Sequence, residues 1–367
     1  MTIDPEFSDL VRRLRKTDNN LIALLAQRMH LSQQIAYAID KQGHDRAQDF
    51  KKERLQEGRN WAAQYGLNPD FVEALLNLVI IIDETRLAGL QTNPEIARDG
   101  EISELRANLL ALTARVAASY DQSFDKHFFA TKAYRRFESE LIDSVVAGQN
   151  DRCLALDLGC ATGAYACRFS FLFSRVVGYD ISPSMIDYAK RSVRNKRKEV
   201  LSFVTADLDN RIAEEDSSAS LIVMNLGTAS EVRDAGALLM EIQRLLKVGG
   251  KAVLSFYNGD ALVYKWEFIP WDLSLAAEMN PRRNCLDVHV DQDVFSIFAK
   301  AYSIDDIKSL LPPSLKLTQS VTYPTASSIL PNELLDEELI RDSVENLDHQ
   351  LSSRLRGNYL IIVCEKI

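Results

Sequence analysis

Apolar residues recur at steps of three and four along the first ninety residues, with almost no run that favours a strand. This spacing places them on one face of a helix. It predicts a long amphipathic helix over about residues 10–38, a second over 49–64 and a third over 69–90, with a break at Gly66-Leu67-Asn68-Pro69. The first helix is defined by Leu14, Asp18, Leu21, Leu24, Leu25, Arg28, Leu31, Ile35 and Ala38.

The long first helix cannot bury its whole apolar face against two shorter helices alone. Apolar surface left over in this way favours association with a second copy of the same chain. The pattern therefore predicts an all-helical region that forms an intertwined homodimer.

From Leu154 onward, short apolar runs alternate with helical stretches. This alternation predicts an α/β fold with a Rossmann-like, doubly wound and mostly parallel sheet. We expect Gly249-Gly250 to form the turn into the fifth strand, and Ser303 with Asp306 to form a capping box at a helix start. The expected strands are 154–158, 176–180, 201–205, 220–225, 251–257 and 359–363, and a helix is expected over 235–246.

The helical pattern is interrupted at Thr92-Asn93-Pro94 and resumes over about residues 101–118. A chain of 367 residues is also too long for one typical hydrophobic core. We therefore predict a helical domain over 8–92, a helical linker over 93–118 and an α/β domain over 119–367.

Charge argues against nucleic acid as a partner. The chain has 43 Lys and Arg against 52 Asp and Glu, a formal net charge of −9, whereas binding to a phosphate backbone relies on clustered cations. The basic run from Lys190 to Lys198 is the exception, and we interpret it as the solvated face of a helix.

Cysteine usage and hydropathy bear on the compartment. The five cysteines show no CxxC spacing, and no leading apolar signal segment is present. These features favour a reducing cytoplasm. No apolar run reaches the roughly 18 residues that would span a bilayer, so no membrane association is expected.

The stretch from Leu154 to Gly163 holds the candidate chemistry. An apolar run ends in Asp157 and is followed by Gly159 and Gly163, which is typical of a buried strand entering a tight turn. The two glycines would let a ligand approach the backbone closely, and the following helix would point free N–H groups at the same place.

The next strand ends in Asp180, about 20 residues further on. A carboxylate at that position could accept hydrogen bonds from both hydroxyls of a ribose. The alternative is that Asp180 is only the N-cap of the helix that begins near Ser182-Pro183-Ser184.

Four segments in this order, LDLGCATG, VVGYDISPSMIDYAKR, FVTADLDN and LLKVGGKAVLSFYN, resemble class I S-adenosylmethionine-dependent methyltransferases. The resemblance covers about residues 120–367. It implies that S-adenosylmethionine is the cofactor, with its methionine part at the glycine turn, its ribose at Asp180 and its adenine amino group facing Asp207. The cofactor-binding positions implied in this way are Tyr120, Arg135, Asp157, Gly159, Cys160, Gly163, Asp180, Met185, Asp207, Leu208 and Asn225.

Residues 258–300 depart from the generic pattern and are rich in aromatic side chains, including Trp266 and Trp271. They predict a two-stranded ribbon, 286–290 with 294–298, and form either a cover over a methyl acceptor or a satellite hydrophobic cluster. His289 is the candidate catalytic base, because it is the residue there that could exchange a proton near neutral pH. A purely structural histidine is the alternative.

The helical region, through LRKTDNNLIALLAQRMHLSQQIA, ERLQ and YGLNPDFVEALLNLVIIIDETR, resembles the all-helical (AroQ-type) chorismate mutases. Those enzymes hold a dianionic substrate with cations and act by positioning and electrostatics. The matching positions imply a chorismate-like site at Arg28, Lys41, Asp49, Lys52 and Glu53.

That correspondence is incomplete. Val11 and Ile39 stand where the resemblance implies an arginine and a lysine, Lys41 is displaced by half a turn, and Lys52 replaces an arginine. Each charged hydrogen bond is worth about 1.5–3 kcal/mol, so the loss of two cations would weaken binding of a dianion substantially.

We therefore expect methyl transfer to a small-molecule acceptor, with the helical domain serving dimerisation or ligand sensing. One alternative is a bifunctional enzyme that also converts chorismate to prephenate. A second is an enzyme of the carboxy-S-adenosylmethionine type, which would use prephenate together with the methyl donor.

Overall fold

The computed structural model describes residues 9–18, 20–21, 24, 28, 31, 44–73, 75–76, 99–121, 129–192, 199–265, 277–280, 283–290, 293–330 and 335–367. The chain divides into two compact units, Met1–Thr92 and Asn93–Ile367. Each unit has its own structure and is described separately.

The first unit is helical wherever its structure is described, apart from the turn at residues 66–68. Residues 9–18 are helical, helix α1 spans His44–Tyr65, and a further helix begins at Pro69. Helix α1 therefore starts five residues before the predicted second helix. Gly66 ends it with φ +68°, and the Asn68 side chain accepts hydrogen bonds from the N–H groups of residues 70 and 71 at 2.8 and 3.2 Å.

The second unit is built on a seven-stranded sheet with the order β3-β2-β1-β4-β5-β10-β9. Strands β1 to β5 are parallel, whereas β10 is antiparallel to both β5 and β9. The prediction of a doubly wound, mostly parallel sheet is confirmed. The strands are β1 Leu154–Leu158, β2 Arg175–Asp180, β3 Leu201–Thr205, β4 Ala219–Met224, β5 Leu246–Tyr257, β9 Leu315–Tyr323 and β10 Tyr359–Lys366.

Helices cover both faces of this sheet because its central strands are apolar on both sides. Leu156 and its alternate neighbours belong to one hydrophobic cluster, whereas Ala155 belongs to the cluster on the other face. The helices are α2 Asp99–Val116, α3 Phe129–Ala147, α4 Ala164–Phe169, α5 Pro183–Ser192, α6 Ala235–Leu245, α7 Leu262–Lys265, α8 Ile304–Leu310 and α9 Glu338–Leu351. Helices α6 and α8 pack in the cluster that contains Leu156, and α3, α4 and α5 pack in the cluster that contains Ala155.

A second, three-stranded antiparallel sheet lies between β5 and α8 in the chain. It consists of β6 Ala277–Asn280, β7 Cys285–Val290 and β8 Asp293–Phe298. The predicted two-stranded ribbon is therefore present as β7 and β8, and β6 extends it. Leu112 of α2 packs against Leu286 and Ile297 of this sheet, so α2 and the three-stranded sheet share a hydrophobic cluster within the second unit.

Two local predictions have opposite outcomes. The capping box of α8 is confirmed, because the Ser303 and Asp306 side chains each accept a hydrogen bond from the backbone N–H of the other residue. The prediction that Gly249-Gly250 forms the turn into the fifth strand is wrong, because β5 already begins at Leu246. The pairing with β4 instead shifts register between Ala219 and Leu221, and Gly249, with φ +77°, lies in the extra residues on the β5 side.

Candidate functional site

The turn after β1 is held against the end of β2 by hydrogen bonds. The N–H groups of Gly159 and Cys160 donate to the Tyr179 carbonyl at 2.7 and 2.9 Å. The N–H of Ala161 donates to Asp180 Oδ2 at 2.8 Å. The glycine turn and the acid that ends β2 therefore form one structure at the carboxyl edge of the sheet, beside the β1/β4 boundary where the strand order reverses.

Packing within the protein explains why glycine occupies both positions of this turn, whereas the sequence predicted close approach of a ligand as the reason. Gly159 and Gly163 have φ +76° and +81°, which favours glycine. A Cβ on Gly159 would lie 2.3 Å from Thr228 Cγ2, and one on Gly163 would lie 2.5 Å from Phe203 Cζ. Both glycines are therefore required by packing within the protein, so close approach of a ligand is not needed to explain them.

Asp157 is fully buried at the end of β1. Its Oδ2 accepts the Ala166 N–H of α4 at 2.9 Å, whereas Oδ1 has no hydrogen-bond partner among the described residues. Burial raises the pKa of Asp157 to about 7, and the nearby charges of Asp180 and Glu138 act in the same direction. Asp157 thus ties β1 to α4 and keeps one oxygen with unused acceptor capacity.

Asp180, unlike Asp157, uses both carboxylate oxygens, since Oδ2 accepts the Ala161 N–H and Oδ1 accepts the Ser182 N–H at 2.8 Å. Each oxygen offers two lone pairs, so both retain capacity for a further donor such as a ribose hydroxyl. Burial raises the pKa of Asp180, while the N–H groups of Ser182 and Ala161 oppose that change. At the start of α5, the Ser182 hydroxyl accepts the N–H of Met185 at 3.3 Å, the contact of an N-cap residue.

Two carboxylates in the segment after β3 are paired with two arginines from other parts of the chain. Arg106 Nη2 of α2 lies 2.5 Å from Asp207 Oδ2 and 2.9 Å from Asp209 Oδ2. Arg233 Nε lies 2.7 Å from the same Asp209 oxygen. Leu208, between the two acids, is half-buried and packs against a core cluster of the sheet.

The segment that follows α2 reaches the glycine turn. The Thr162 hydroxyl lies 3.0 and 2.9 Å from the two carboxylate oxygens of Asp121. Burial raises the pKa of Tyr120, with further contributions from the charges of Glu231 and Asp180, whereas Arg135 acts in the opposite direction. Tyr120 and Arg135 therefore share an electrostatic environment with the acid that ends β2.

Glu138 of α3 is a buried carboxyl group that sequence reasoning missed. Its Oε1 accepts the Tyr134 hydroxyl at 2.6 Å and the Leu226 N–H at 3.0 Å, and Oε2 has no hydrogen-bond partner among the described residues. The Tyr134 hydroxyl lies 2.5 Å from Ser255 Oγ, which also accepts the Gly227 N–H at 2.9 Å. The sequence did contain a signal for it, because Glu138 is the one acidic residue within the apolar stripe of α3.

This network fixes the loop after β4. Leu226 and Gly227 have φ +50° and +79°, and their N–H groups are held by Glu138 and Ser255. Burial raises the pKa of Glu138 to about 7, against the hydrogen bonds from Tyr134 and Leu226.

Asn225 begins the same loop, and Glu231 lies further along it. Burial raises the pKa of Glu231 to about 8, and the charge of Asp180 adds to the effect. The Asn225 carbonyl accepts the Thr228 N–H at 3.0 Å and its hydroxyl at 2.7 Å. Asn225 thus has the contacts of a turn residue at the predicted ligand crevice.

Of the other predicted residues, Cys160 and Met185 are connected to this cluster through their backbone N–H groups, whereas His289 is not joined to it by any contact among the described residues. Cys160 and Met185 are buried, and Cys160 lies in the glycine turn. His289 lies on β7 opposite Val294, and among the described residues no hydrogen bond or ion pair involves its side chain. Trp266 and Trp271, which carried the predicted acceptor cover, lie outside the described residues.

The chorismate-like residues of the first unit are described only in part. Arg28 is half-buried in a helical position and Glu53 is exposed. Asp49 and Lys52 lie on α1, with side chains outside the description, and Lys41 lies outside the described residues. The predicted grouping of these five residues stays a prediction.

A parallel sheet of this order, a left-handed glycine turn after β1 and an acid at the end of β2 define a Rossmann-like domain of the nucleotide-cofactor class. Comparison with known families is more specific. A family model described as a methyltransferase domain matches residues 155–250, and one described as chorismate mutase type II matches residues 10–88. Residues 155–250 thus match a methyltransferase domain and residues 10–88 match a chorismate mutase type II domain, in agreement with both resemblances.

Three curated relatives match part of this chain. The biotin biosynthesis bifunctional protein BioHC of Cellvibrio japonicus is 28% identical over 41% of this chain and 28% of its own length. A malonyl-[acyl-carrier protein] O-methyltransferase of Yersinia pestis is 25% identical over 38% and 49%. A demethylmenaquinone methyltransferase of Tropheryma whipplei is 28% identical over 41% and 60%. The matched stretch thus spans at most three fifths of these relatives.

The described residues contain neither a candidate membrane span nor a candidate metal site. None of the described helices is long and apolar enough to cross a bilayer. Within the same residues, His, Cys, Asp and Glu side chains form no group of three or more that could hold a metal ion.

Proposed function

We propose that the second unit transfers the methyl group of S-adenosylmethionine to a small-molecule acceptor. The observation that carries the proposal is the joint structure of the β1 turn and Asp180, which presents a carboxylate with spare acceptor capacity beside a backbone turn. The identity of the cofactor and the places of its three parts are taken from the family resemblance, and when bound the cofactor supplies an electrophilic methyl group.

The protein's own residues would hold and orient that cofactor. Asp180 would accept the ribose hydroxyls, Asp207 would face the adenine amino group, and the turn that contains Gly159 would hold the methionine part. Arg135 is suited to the methionine carboxylate because it carries a fixed positive charge. The fit is supported by Asp157 Oδ1, a buried acceptor without a partner among the described residues.

Positioning accounts for most of the proposed catalysis. Methyl transfer requires the acceptor atom in line with the sulfonium carbon, and holding two reactants in that geometry lowers the barrier without an acid–base step. The relatives are named for a malonyl carrier protein and for demethylmenaquinone, which are chemically unlike each other. We therefore propose a small molecule as the methyl acceptor and do not specify its class further. His289 is the candidate base if the acceptor must lose a proton.

Calorimetric titration with S-adenosylhomocysteine tests the cofactor site. We expect the wild-type protein to bind and Asp180→Ala to bind at least tenfold more weakly, since charged hydrogen bonds contribute about 1.5–3 kcal/mol each. Asp293→Ala, a change at an exposed acid on β8, is the control. Equal binding by wild type and Asp180→Ala would show that the ribose assignment is wrong.

For the helical unit, we propose a role in dimerisation or ligand sensing. Leu10, Leu14, Leu21, Leu24 and Leu31 are each between 49% and 62% exposed. Their spacing of four, seven, three and seven residues places them along one stripe of a helix. An exposed apolar stripe of this length favours burial against a second copy of the chain.

Sedimentation velocity and one absorbance assay test that role. We expect a dimer for wild type, a monomer for the double variant Leu21→Glu with Leu24→Glu, and a dimer for the control Leu67→Glu. A monomeric wild type at micromolar concentration would refute dimerisation. Disappearance of chorismate absorbance in proportion to added protein would instead favour the bifunctional alternative.

A further inference from the structure

Helix α2 contacts the loop after β3, and Asp121 contacts the loop after β1. Arg106 is paired with Asp207 and Asp209 after β3, and Asp121 bonds Thr162 in the turn after β1. Under the proposed function, these loops hold the adenine and the methionine part of the cofactor. The segment that precedes the methyltransferase sheet is therefore part of the cofactor site.

The contacts of Arg106 are specific in geometry. Asp207 Oδ2 lies 2.5 Å from Arg106 Nη2, and Oδ1 accepts the N–H of Asp209 at 3.0 Å. Both carboxylate oxygens are thus anchored, which fixes the plane of the carboxylate. The side chain of Asp207 is still 23% exposed, so a ligand can reach it.

Charge balance explains why an arginine is needed here. Asp207 and Asp209 are two residues apart and both lie against Arg106, so their negative charges would repel each other without it. Arg233 pairs with Asp209 through Nε at 2.7 Å. Arg106 is the guanidinium that bridges both acids.

We propose that Arg106 determines purine specificity by orienting Asp207 to recognise the exocyclic amino group of the adenine. This inference rests on the proposed cofactor site. A carboxylate accepts hydrogen bonds and donates none, so an anchored Asp207 accepts from a 6-amino group and opposes a 6-oxo group. Arg106 acts through Asp207 and is a positioning residue.

The test compares two ligands that differ at one position of the purine. S-adenosylhomocysteine has the 6-amino group, whereas S-inosylhomocysteine has a 6-oxo group in its place. We expect Arg106→Gln to bind S-adenosylhomocysteine about tenfold more weakly than wild type, which corresponds to about 1.4 kcal/mol. We expect its affinity for S-inosylhomocysteine to change less than twofold, so that discrimination between the two ligands falls.

Arg115→Gln is the matched control. Arg115 lies on the same helix, is similarly exposed, and pairs with Asp293 of β8 at 2.5 Å. We expect this variant to bind both ligands as wild type does. The more conservative Arg106→Lys variant keeps the positive charge and is expected to recover part of the lost discrimination.

The outcomes separate this inference from the proposed function. If wild type binds neither ligand, the proposed cofactor site is wrong. If wild type binds S-adenosylhomocysteine and Arg106→Gln loses affinity equally for both ligands, Arg106 only supports the docking of α2 and the specificity inference is overturned. Unchanged or tighter binding of S-adenosylhomocysteine by Arg106→Gln overturns it as well.

Discussion

Glu138→Gln is the substitution for which the structure allows the most quantitative prediction. Glu138 is 1% exposed, and burial raises its pKa from an ordinary value of 4.5 to about 7. A pKa difference of this size between the folded and unfolded chain changes the free energy of unfolding by about 3 kcal/mol. Whether stability rises or falls with pH depends on which state keeps the proton.

Below pH 4.5 the carboxyl is protonated in both states, and its contribution to stability is fully present. Between 4.5 and about 7 the folded protein keeps a proton that the unfolded chain has released. The free energy of unfolding therefore falls as pH rises through this window, by up to about 1.4 kcal/mol per pH unit from this one group. Glutamine has no proton to lose, so the variant lacks this part of the slope.

Urea unfolding followed by circular dichroism at pH 5, 6, 7 and 8 measures the effect. We expect the free energy of unfolding of wild type, relative to Glu138→Gln, to decline by about 2.5 kcal/mol from pH 5 to pH 8. Glu140→Gln, at an exposed position of the same helix, is the control and should keep the slope of wild type. Parallel pH profiles for wild type and Glu138→Gln would refute the argument that burial holds the Glu138 proton.

Three further substitutions test the local structure. Gly163→Ala should destabilise the second unit by about 2–4 kcal/mol in urea unfolding, because it combines strain at φ +81° with a Cβ 2.5 Å from Phe203 Cζ; Gly236→Ala, at a position with more room, is the control. Ser303→Ala should cost about 1 kcal/mol in the same assay, because it removes the capping box of α8. Asp348→Ala should cost at least about 3 kcal/mol, because it leaves three buried N–H groups of the loop at 325–327 without their acceptor. A loss below about 0.5 kcal/mol in any of the three would contradict the corresponding contact.

Much of the fold was readable because it depends on local pattern. Apolar runs that end in glycine or an acid located β1 and β2, with Asp157 and Asp180 at their ends. The cap at Ser303 was readable for the same reason, since a capping box involves residues only three apart. The extent of β5 could not be read from the sequence, because the irregular pairing around Gly249 depends on contacts with β4.

The candidate site shows the same division. Sequence alone determined that a glycine turn and an acid one strand later belong together, and that the described part of the first unit is helical on either side of the turn at 66–68, because periodicity and short-range spacing encode both. Only the tertiary structure decided that Phe203 requires Gly163, that Arg106 reaches Asp207 from a helix a hundred residues earlier, and that Glu138 is buried beside the β4 loop. Those contacts join residues far apart in the chain, and no local pattern specifies which distant side chains the packing of a sheet will bring together.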